Sequence, residues 1–308
     1  MIHGRGLLAM GAVGVFAAGA ALVFLVPAAP GSAAPCRLCP APPARAIPPP
    51  VPEDGQIRQA PPRPGEWLAV VKEKGQTFEA YVAEAANRVC PHRNVVYIQP
   101  LQSAPGRLDL GIHGQRDYAK TLVLMRDYAE IFFGTSARLL DPIPMFEETL
   151  EADRDQYDAG ALLDRLSQQV PADAVAYIAI TKEDLYSGKL NYVFGLGSLA
   201  ARTGVYSLRR YQHQNPDLFL RRSLKLLAHE AGHIFSIDHC TAWSCLMQGA
   251  NSLSEHDAHP LRLCPVDLRK LEWNAGFDRA ARHRALRDFY RRTGLQAEAG
   301  WEEQRLPP

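Results

Sequence analysis

The residue types able to do chemistry are concentrated between Leu224 and Met247, where His229, Glu230 and His233 form the pattern H-E-x-x-H. Two histidines four residues apart lie on one face of an α-helix, so each can bring a ring nitrogen to one zinc ion at about 2.0 to 2.1 Å. Glu230 directly follows the first histidine, where its carboxylate can accept a proton from water activated by the metal. The pattern therefore predicts a zinc site with an adjacent general base.

His239 is the candidate for a third metal ligand, although it lies six residues after His233. On a continuing helix its side chain would lie about 120° away from the face that carries the other two histidines. The helix must therefore end first. A sharp turn after Phe235 would return His239 to the metal and leave one of the four zinc positions open for water, which is typical of a catalytic zinc.

The run H-E-x-x-H-x-x-x-x-x-H with a methionine downstream resembles the metzincin peptidases, and Met247 lies where their methionine turn would be. We interpret Met247 as a hydrophobic floor under the metal and not as a ligand. Further segments make the chain similar to the archaemetzincins, whose zinc helix is followed by H-C, C-x-M and C-x-x-C. These segments are His239-Cys240, Cys245-Leu246-Met247, Cys264, LMQGANSL (246–253), PLRLCPVDLRKL (260–271) and NYVFGLGSL (191–199).

The archaemetzincin resemblance implies a zinc metallopeptidase of α/β fold, with a metzincin-like zincin domain, a mixed twisted sheet and an active-site helix. It also implies a second, structural zinc held by four cysteines, but Asp267 stands where the fourth cysteine is expected. A carboxylate can bind zinc, so Cys240, Cys245, Cys264 and Asp267 form the candidate second site. The alternative for the three cysteines is a disulfide plus one free thiol in an oxidising compartment.

Ser236 is a second departure from the family, because metzincins have glycine at this point of the turn between His233 and His239. Glycine reaches positive φ without a steric penalty, whereas serine pays on the order of 1 kcal/mol. The turn is therefore expected to be strained, or to have a different shape.

The elements that must position these residues can be predicted from sequence periodicity. Asn215-Pro216-Asp217 carries start signals for the zinc helix. The run 174–181, apolar at every position except Thr181, is the strongest strand candidate. Helices are also predicted for 76–89, 117–133, 156–169 and 274–292, and strands for 94–99, 108–112 and 136–140. The alternation of helices and strands indicates an α/β domain with a mixed sheet.

A β-rich run at 204–211 (GVYSLRRY) precedes the zinc helix. In metzincins this position is an exposed edge strand that binds extended peptide through its main chain, and the family resemblance implies the same here. A strand covered on both sides by its neighbours is the other interpretation that the sequence allows.

The chain of 308 residues divides by composition into four regions. Residues 1–27 include an uncharged run, Leu7 to Val26, long enough as a helix to span a bilayer. Residues 28–66 hold 12 of the 24 prolines and predict a disordered linker. The catalytic domain is predicted at 67–292, and a flexible tail at 293–308.

The amino-terminal run predicts either a retained membrane anchor or a signal segment cleaved near Gly31-Ser32-Ala33. In both cases the catalytic domain would lie outside the cytoplasm. The net charge of +1 gives no electrostatic reason for nucleic-acid binding. We therefore expect a peptide or protein substrate. For Cys90, isolated in the sequence, an inert buried thiol is expected.

Two alternative functions remain open at this point. A gluzincin-type peptidase would use His229, His233 and a later glutamate, with Glu255 and Glu272 as the candidates. A membrane-tethered zinc-binding module that has lost catalysis is the other. The intact Glu230 argues against that second alternative.

Overall fold

The computed structural model describes residues 24–26, 46–85, 87–103 and 118–306. Its α-helices are α1 (Trp67–Val70), α2 (Phe78–Glu84), α3 (Tyr118–Phe133), α4 (Ala159–Ser167), α5 (Pro216–Ile234), α6 (Leu253–Ala258), α7 (Pro265–Ala275), α8 (Arg279–Thr293) and α9 (Gln296–Glu303). Its strands are β1 (Phe24–Val26), β2 (Val95–Gln102), β3 (Ser136–Leu139), β4 (Ile143–Pro144), β5 (Leu150–Glu151), β6 (Gln156–Asp158), β7 (Ala174–Thr181), β8 (Leu185–Tyr186), β9 (Gly195–Ser198) and β10 (Thr203–Ser207). Short 3₁₀ helices span Glu147–Thr149 and Arg209–Tyr211.

The main sheet has the strand order β1-β9-β10-β7-β2-β3, and β4 extends it by pairing with the end of β2. Strands β10, β7, β2 and β3 run parallel, whereas β9 is antiparallel to β10. A second, small sheet has the order β5-β6-β8. The predicted α/β fold with a mixed sheet is therefore confirmed.

Strand β7 lies at the centre of the sheet and all eight of its residues are buried. Ile178 and Ile180 point to the face covered by α3 and α5, while Tyr177 and Ala179 point to the face covered by α4. Because side chains alternate along a strand, one apolar run supplies the core on both faces. The sheet thereby gives the zinc helix α5 a rigid platform.

Helix α5 begins as its sequence predicts. The Asn215 side chain accepts hydrogen bonds from the backbone amides of Asp217 and Leu218, and Pro216 occupies the first helical position. The apolar stripe of the helix is buried against the sheet, at Leu220, Leu224, Leu227, Ala231 and Ile234. The helix ends at Ile234, close to the predicted turn.

Strand β10 has neighbours on both sides, because it pairs with β7 and with β9. It lies within the run 204–211 for which the family resemblance implied an exposed edge. That expectation was wrong, since β9 covers the edge of β10 and the interpretation as a covered strand applies. Strand β9 in turn pairs in parallel with β1.

The predicted amino-terminal helix, Leu7 to Val26, lies outside the described residues except for Phe24–Val26, which form strand β1. No helix within the described ranges has the length and apolar character needed to cross a membrane. Residues 46–66 fall in the predicted linker yet lie against the domain. The Pro48 carbonyl accepts a hydrogen bond from Arg269 at 2.9 Å, and the Arg58 guanidinium lies 3.6 Å from the Trp243 ring centroid. Proline carbonyls still accept hydrogen bonds, so a proline-rich composition alone does not keep a segment from packing against the domain.

The carboxyl-terminal region also differs from its prediction. Residues 274–292 were expected as one helix, but α7 ends at Ala275 and α8 begins at Arg279, with Gly276 between them at φ 77°. The predicted flexible tail contains α9, which packs on α8. A buried hydrogen bond of 2.5 Å joins His283 Nδ1 to Glu302 Oε2 and holds the two helices together. Burial of Glu302 was not evident from the polar sequence.

Candidate active site

The three predicted zinc ligands meet in one place, because α5 ends and the chain turns back. One nitrogen from each of His229, His233 and His239 lies within 4.8 Å of the others. The Nε2 atoms of His229 and His233 are 3.1 Å apart. Two nitrogens bound to one tetrahedral zinc lie about 3.3 Å apart, so the pair is spaced to share a metal ion.

Each of the three rings is oriented by a hydrogen bond at its Nδ1 atom. His229 Nδ1 contacts the Leu246 carbonyl, and His233 Nδ1 contacts the Ile237 carbonyl, both at 2.8 Å. The third ring is oriented by a carboxylate, since His239 Nδ1 lies 2.8 Å from Glu73 Oε1. Because these oxygens can only accept, each Nδ1 must donate its proton. The lone pair of each Nε2 is then left for a metal ion, as in known zinc sites.

Burial keeps the first two histidines neutral. It lowers the pKa of His229 well below its ordinary value, and repulsion from His233 and His239 acts in the same direction. Burial and repulsion from His239 lower the pKa of His233 to about 3. A neutral imidazole is the form that binds zinc, so the site is prepared for a metal at physiological pH.

Glu230 lies beside the histidine cluster and is almost completely buried. Its Oε2 atom makes no hydrogen bond with any residue that the structure describes. Burial raises the pKa of the Glu230 carboxyl well above its ordinary value, and the nearby Tyr206 hydroxyl opposes this shift. A buried carboxylate with a free oxygen and a raised pKa is suited to accept a proton from water.

The turn after α5 depends on Ser236, whose φ of 68° lies in the left-handed region. The strain expected from the sequence is thus present. The Ser236 side chain offsets this strain, because its Oγ accepts a hydrogen bond from the backbone amide of the buried Asn87 at 3.1 Å. Glycine could not make this contact. The carbonyl of Ser236 also accepts from Gln76 Nε2 at 3.2 Å.

Met247 is fully buried beneath the zinc helix. A Cβ atom added at Gly232 would lie 2.6 Å from its sulfur, so Met247 packs on helix backbone that only glycine leaves open. The Met247 carbonyl also accepts a hydrogen bond from Cys240 at 2.8 Å. The methionine therefore ties the segment after His239 to the helix.

The second predicted group of ligands, Cys240, Cys245, Cys264 and Asp267, also comes together, and all four residues are buried. The sulfurs of Cys240 and Cys264 are 3.7 Å apart. Oδ2 of Asp267 lies 3.2 Å from the Cys245 sulfur and 3.4 Å from the Cys264 sulfur. Ligands of one tetrahedral zinc are separated by about 3.8 Å between sulfurs and about 3.5 Å between sulfur and oxygen, so the group fits a metal ion.

Backbone amides surround this second group with hydrogen-bond donors. Cys245 Sγ accepts from Cys264 N at 3.2 Å and from Met247 N at 3.5 Å, while Cys264 Sγ accepts from Asp267 N at 3.4 Å. Donors directed at sulfur favour the thiolate, the form that binds metal. All three cysteines are free in the structure, which does not have the disulfide of the alternative interpretation. Cys90, in contrast, is disulfide-bonded and is not the inert thiol expected from the sequence.

The histidine cluster opens into a cavity of about 450 Å³ that Glu230, Trp67, Lys74 and Tyr211 also line. The glutamates considered as alternative ligands are engaged elsewhere. Glu255 accepts hydrogen bonds from the amides of Trp67 and Asn251, and Glu272 pairs with Arg279. Among the described residues, His239 is therefore the side chain that joins the histidine pair.

Several residues of these sites were not predicted from the sequence. Glu73 and Trp67 lie more than 160 residues before His239, so no local spacing connects them with the zinc helix. Lys270, buried and 2.8 Å from Asp267 Oδ1, was detectable in principle. A lysine three residues after an aspartate on one helix is a known pairing distance.

Comparison with known proteins agrees with the geometry. The sequence model of peptidase family M54 matches residues 138–273. Archaemetzincin-2 of Rattus norvegicus is 31% identical over 261 residues, which cover 72% of this chain and 71% of that protein. Archaemetzincin of Thermococcus kodakarensis is 37% identical over 125 residues, which cover 38% of this chain and 67% of that protein. The crystal structure of archaemetzincin from Methanopyrus kandleri is 27% identical with a TM-score of 0.48, covering 59% of this chain and 96% of that one.

These findings define the class of protein as a zinc metallopeptidase. Within that class the chain belongs to the archaemetzincins, because its similarity to archaemetzincin-2 extends over more than two thirds of both proteins. The resemblance found in the sequence is thereby confirmed.

Proposed function

We propose that this chain hydrolyses peptide bonds with Glu230 as the general base, next to a zinc ion held by His229, His233 and His239. One observation carries the proposal. Three imidazoles with their Nδ1 atoms already engaged converge beside a buried carboxylate whose Oε2 makes no hydrogen bond to any described residue. Structural histidines do not require this convergence, whereas a catalytic metal site does.

A zinc ion held by His229, His233 and His239 would lower the pKa of a water molecule to about 7 and polarise a carbonyl group. The work of the chain is to hold the reacting groups and to move the proton. Glu230 accepts the proton of the attacking water on its free oxygen and delivers it to the leaving amine. Met247 is fully buried and packs against the helix at Gly232, between the two histidines that α5 supplies.

We also propose a structural zinc on Cys240, Cys245, Cys264 and Asp267. The distances in this group match a tetrahedral site, and the sulfurs of Cys245 and Cys264 accept backbone hydrogen bonds. The group is closed, because all four residues are buried and none of them is among the residues that line the cavity at the histidine cluster. Such a site contributes to stability and not to turnover.

The direct test of the general base is Glu230→Gln in the full chain. This change keeps the shape of the side chain and removes its ability to accept a proton. We expect kcat/KM on a mixed peptide library to fall about 10³-fold or more, while zinc content stays at the parental value. The matched control is Glu79→Gln, which alters an exposed glutamate at the start of α2.

Equal hydrolysis by the Glu230→Gln variant and the parent protein would refute this role for Glu230. The proposed peptidase function also requires that a chelator abolishes hydrolysis by the parent protein and that added zinc restores it. Activity that survives complete removal of zinc would point to a contaminating enzyme or to another mechanism.

The location of the protein remains a proposal as well. The uncharged run in residues 1–27 suits export, with either a retained anchor or a cleaved signal. The disulfide at Cys90 supports an oxidising compartment. Fractionation of cells that express the full chain, with the amino terminus sequenced from each fraction, would distinguish a retained anchor from cleavage near Ser32. Recovery of intact chain only in the cytosol would reject export.

A further inference from the structure

The third candidate ligand, His239, is held differently from the other two. The Nδ1 atoms of His229 and His233 bind backbone carbonyls within the zinc-binding region itself. His239 lies beyond the helix and after the strained turn at Ser236, and its ring is held by a side chain. Its Nδ1 instead lies 2.8 Å from the carboxylate of Glu73, which is 166 residues earlier in the chain.

Glu73 is itself held in place. Its second oxygen, Oε2, accepts a hydrogen bond from the Trp67 indole nitrogen at 2.8 Å. The same indole packs edge-on against the His239 ring, with ring centroids 5.2 Å apart. Trp67, Glu73 and His239 therefore form a closed triangle of contacts.

The segment that carries Trp67 and Glu73 is anchored at both ends. The Trp67 amide donates to Glu255 at 2.8 Å, and Gly249 lies so close that an added Cβ would be 2.5 Å from the indole. At the other end, the Gln76 side chain donates to Ser236 O and accepts from the Asp238 amide. Residues 67–76 thus form one wall of the cleft, outside residues 138–273 that the family model matches.

We propose that Glu73 is a positioning residue for the third zinc ligand, with Trp67 as its support. The carboxylate holds the proton of His239 on Nδ1 and directs Nε2 towards the metal position. In known zinc sites a carboxylate on the far nitrogen of a ligating histidine fixes the orientation of the ring. Residues 67–76 would then be a functional part of the active site and not merely the start of the domain. This inference depends on the proposed zinc site.

The test measures zinc affinity of the full chain by competition with a chelator. Glu73→Ala should raise the dissociation constant of the histidine site about 10- to 100-fold, whereas zinc in the cysteine-containing group should be unchanged. Glu73→Gln keeps an acceptor oxygen but no charge and should give a smaller rise. Trp67→Phe keeps an aromatic ring without the N–H donor. Its rise in the dissociation constant should also be smaller than that of Glu73→Ala. Glu79→Gln is the matched control and should match the parent protein.

A double-mutant cycle separates positioning from a general structural effect. In a His239→Ala background, Glu73→Ala should cause no further loss of zinc affinity, because the ring that it positions is absent. The absorption spectrum of the cobalt-substituted protein gives a second measure. Glu73→Ala should change the ligand-field bands of the cobalt at the histidine site, whereas Glu79→Gln should not.

The outcomes distinguish this inference from the proposed function. If His239→Ala loses one zinc while Glu73→Ala binds both zincs as tightly as the parent, the role of Glu73 is refuted and the histidine site stands. If His239→Ala retains the full zinc content of the parent, the proposed histidine site itself fails. An equal loss of affinity from Glu73→Ala with and without His239 would show a structural effect and overturn the positioning role.

Discussion

The two candidate metal sites lie next to each other in the chain, and His239 and Cys240 are even adjacent residues, yet their surroundings differ. The histidine cluster opens into the cleft, and its third ring keeps 18% of its side chain exposed. The cysteine-containing cluster is buried at all four positions. An open site leaves room for water and substrate, whereas a closed one holds the fold.

The hydrogen bonds around the two sites show the same division of work. Around the histidines, acceptors engage the far ring nitrogen and orient each ring towards the metal position. Around the cysteines, backbone amides donate to the sulfurs themselves and stabilise negative charge. At the histidine site, the hydrogen bonds control the orientation of the ligands, which must be exact for catalysis. At the cysteine-containing site, they control the charge of the buried sulfurs.

The sharpest contrast is expected when each site loses one ligand. Cys245→Ser should remove the second zinc and lower the stability of the domain by about 4 kcal/mol or more, a fall in Tm of roughly 10 °C. His239→Ala should abolish hydrolysis, with a much smaller change in Tm measured in the presence of chelator. Thermal unfolding and zinc content of both variants are the measurements.

The control for this pair is Glu79→Gln, which alters an exposed glutamate outside both clusters. It should keep the zinc content of the parent. Similar Tm values for Cys245→Ser and the parent would contradict a structural role for the cysteine-containing site. Retained hydrolysis in His239→Ala would contradict the catalytic role of the histidine cluster.

The substitution of Asp267 for the expected cysteine gives a second, smaller test. Asp267 pairs with Lys270 at 2.8 Å, and both side chains are only 2% exposed. Asp267→Ala would remove a zinc ligand and leave a buried charge unpaired, so we expect a loss of about 3 to 5 kcal/mol. The double variant Asp267→Ala/Lys270→Met removes both charges and should recover part of that stability. Denaturant unfolding gives the stability of each variant.

Zinc affinity distinguishes the two roles of Asp267. Both variants should bind the second zinc about 100-fold more weakly than the parent, because both lack the fourth ligand. Lys270→Met alone, as the matched control, keeps the ligand and should retain this zinc. A double variant that binds two zincs as tightly as the parent would show that Asp267 only balances the charge of Lys270.

The sequence predicted the parts of the site that depend on short-range spacing. His229, Glu230 and His233 share one helix, and the cap at Asn215 and the apolar stripe define where that helix begins and packs. His239 was predictable as the third ligand because the helix must end before it. On a continuing helix, its side chain would point away from the other two histidines. Strand β7 was predicted over its full length because seven of the eight residues of the run are apolar, as a central strand requires.

The predictions that failed, and the residues that were missed, concern contacts between segments distant in the sequence. Strand β10 became an internal strand because β9 pairs with it, and nothing in the run itself indicates that neighbour. Glu73 could not be assigned, since its role comes only from a partner 166 residues away. The tail looked polar and frayed because the burial of Glu302 is compensated by His283 on another helix. Local patterns carry no information about such pairings.

The smallest expected effects concern Ser236, at the turn between the open and the closed site. Two opposing terms meet at this residue. Its φ of 68° costs a side chain on the order of 1 kcal/mol, and the hydrogen bond from the Asn87 amide returns a similar amount. Ser236→Gly removes both terms, so its stability should lie within about 1 kcal/mol of the parent. Ser236→Ala keeps the strain, loses the hydrogen bond and should be about 1 kcal/mol less stable than Ser236→Gly.

Because glycine and alanine both lack the hydroxyl, the difference between these two variants excludes the hydrogen bond. It reports the strain less the extra freedom of glycine in the unfolded chain, and denaturant unfolding is precise enough to detect it. Equal stability of the two variants would show that the turn relaxes and carries no strain. A glycine variant clearly more stable than the parent would show that the bond from Asn87 contributes nothing. The predicted order, serine and glycine above alanine, explains how the chain tolerates serine where metzincins have glycine: a contact that only a hydroxyl can make offsets the backbone cost of the turn that returns His239 to the metal position.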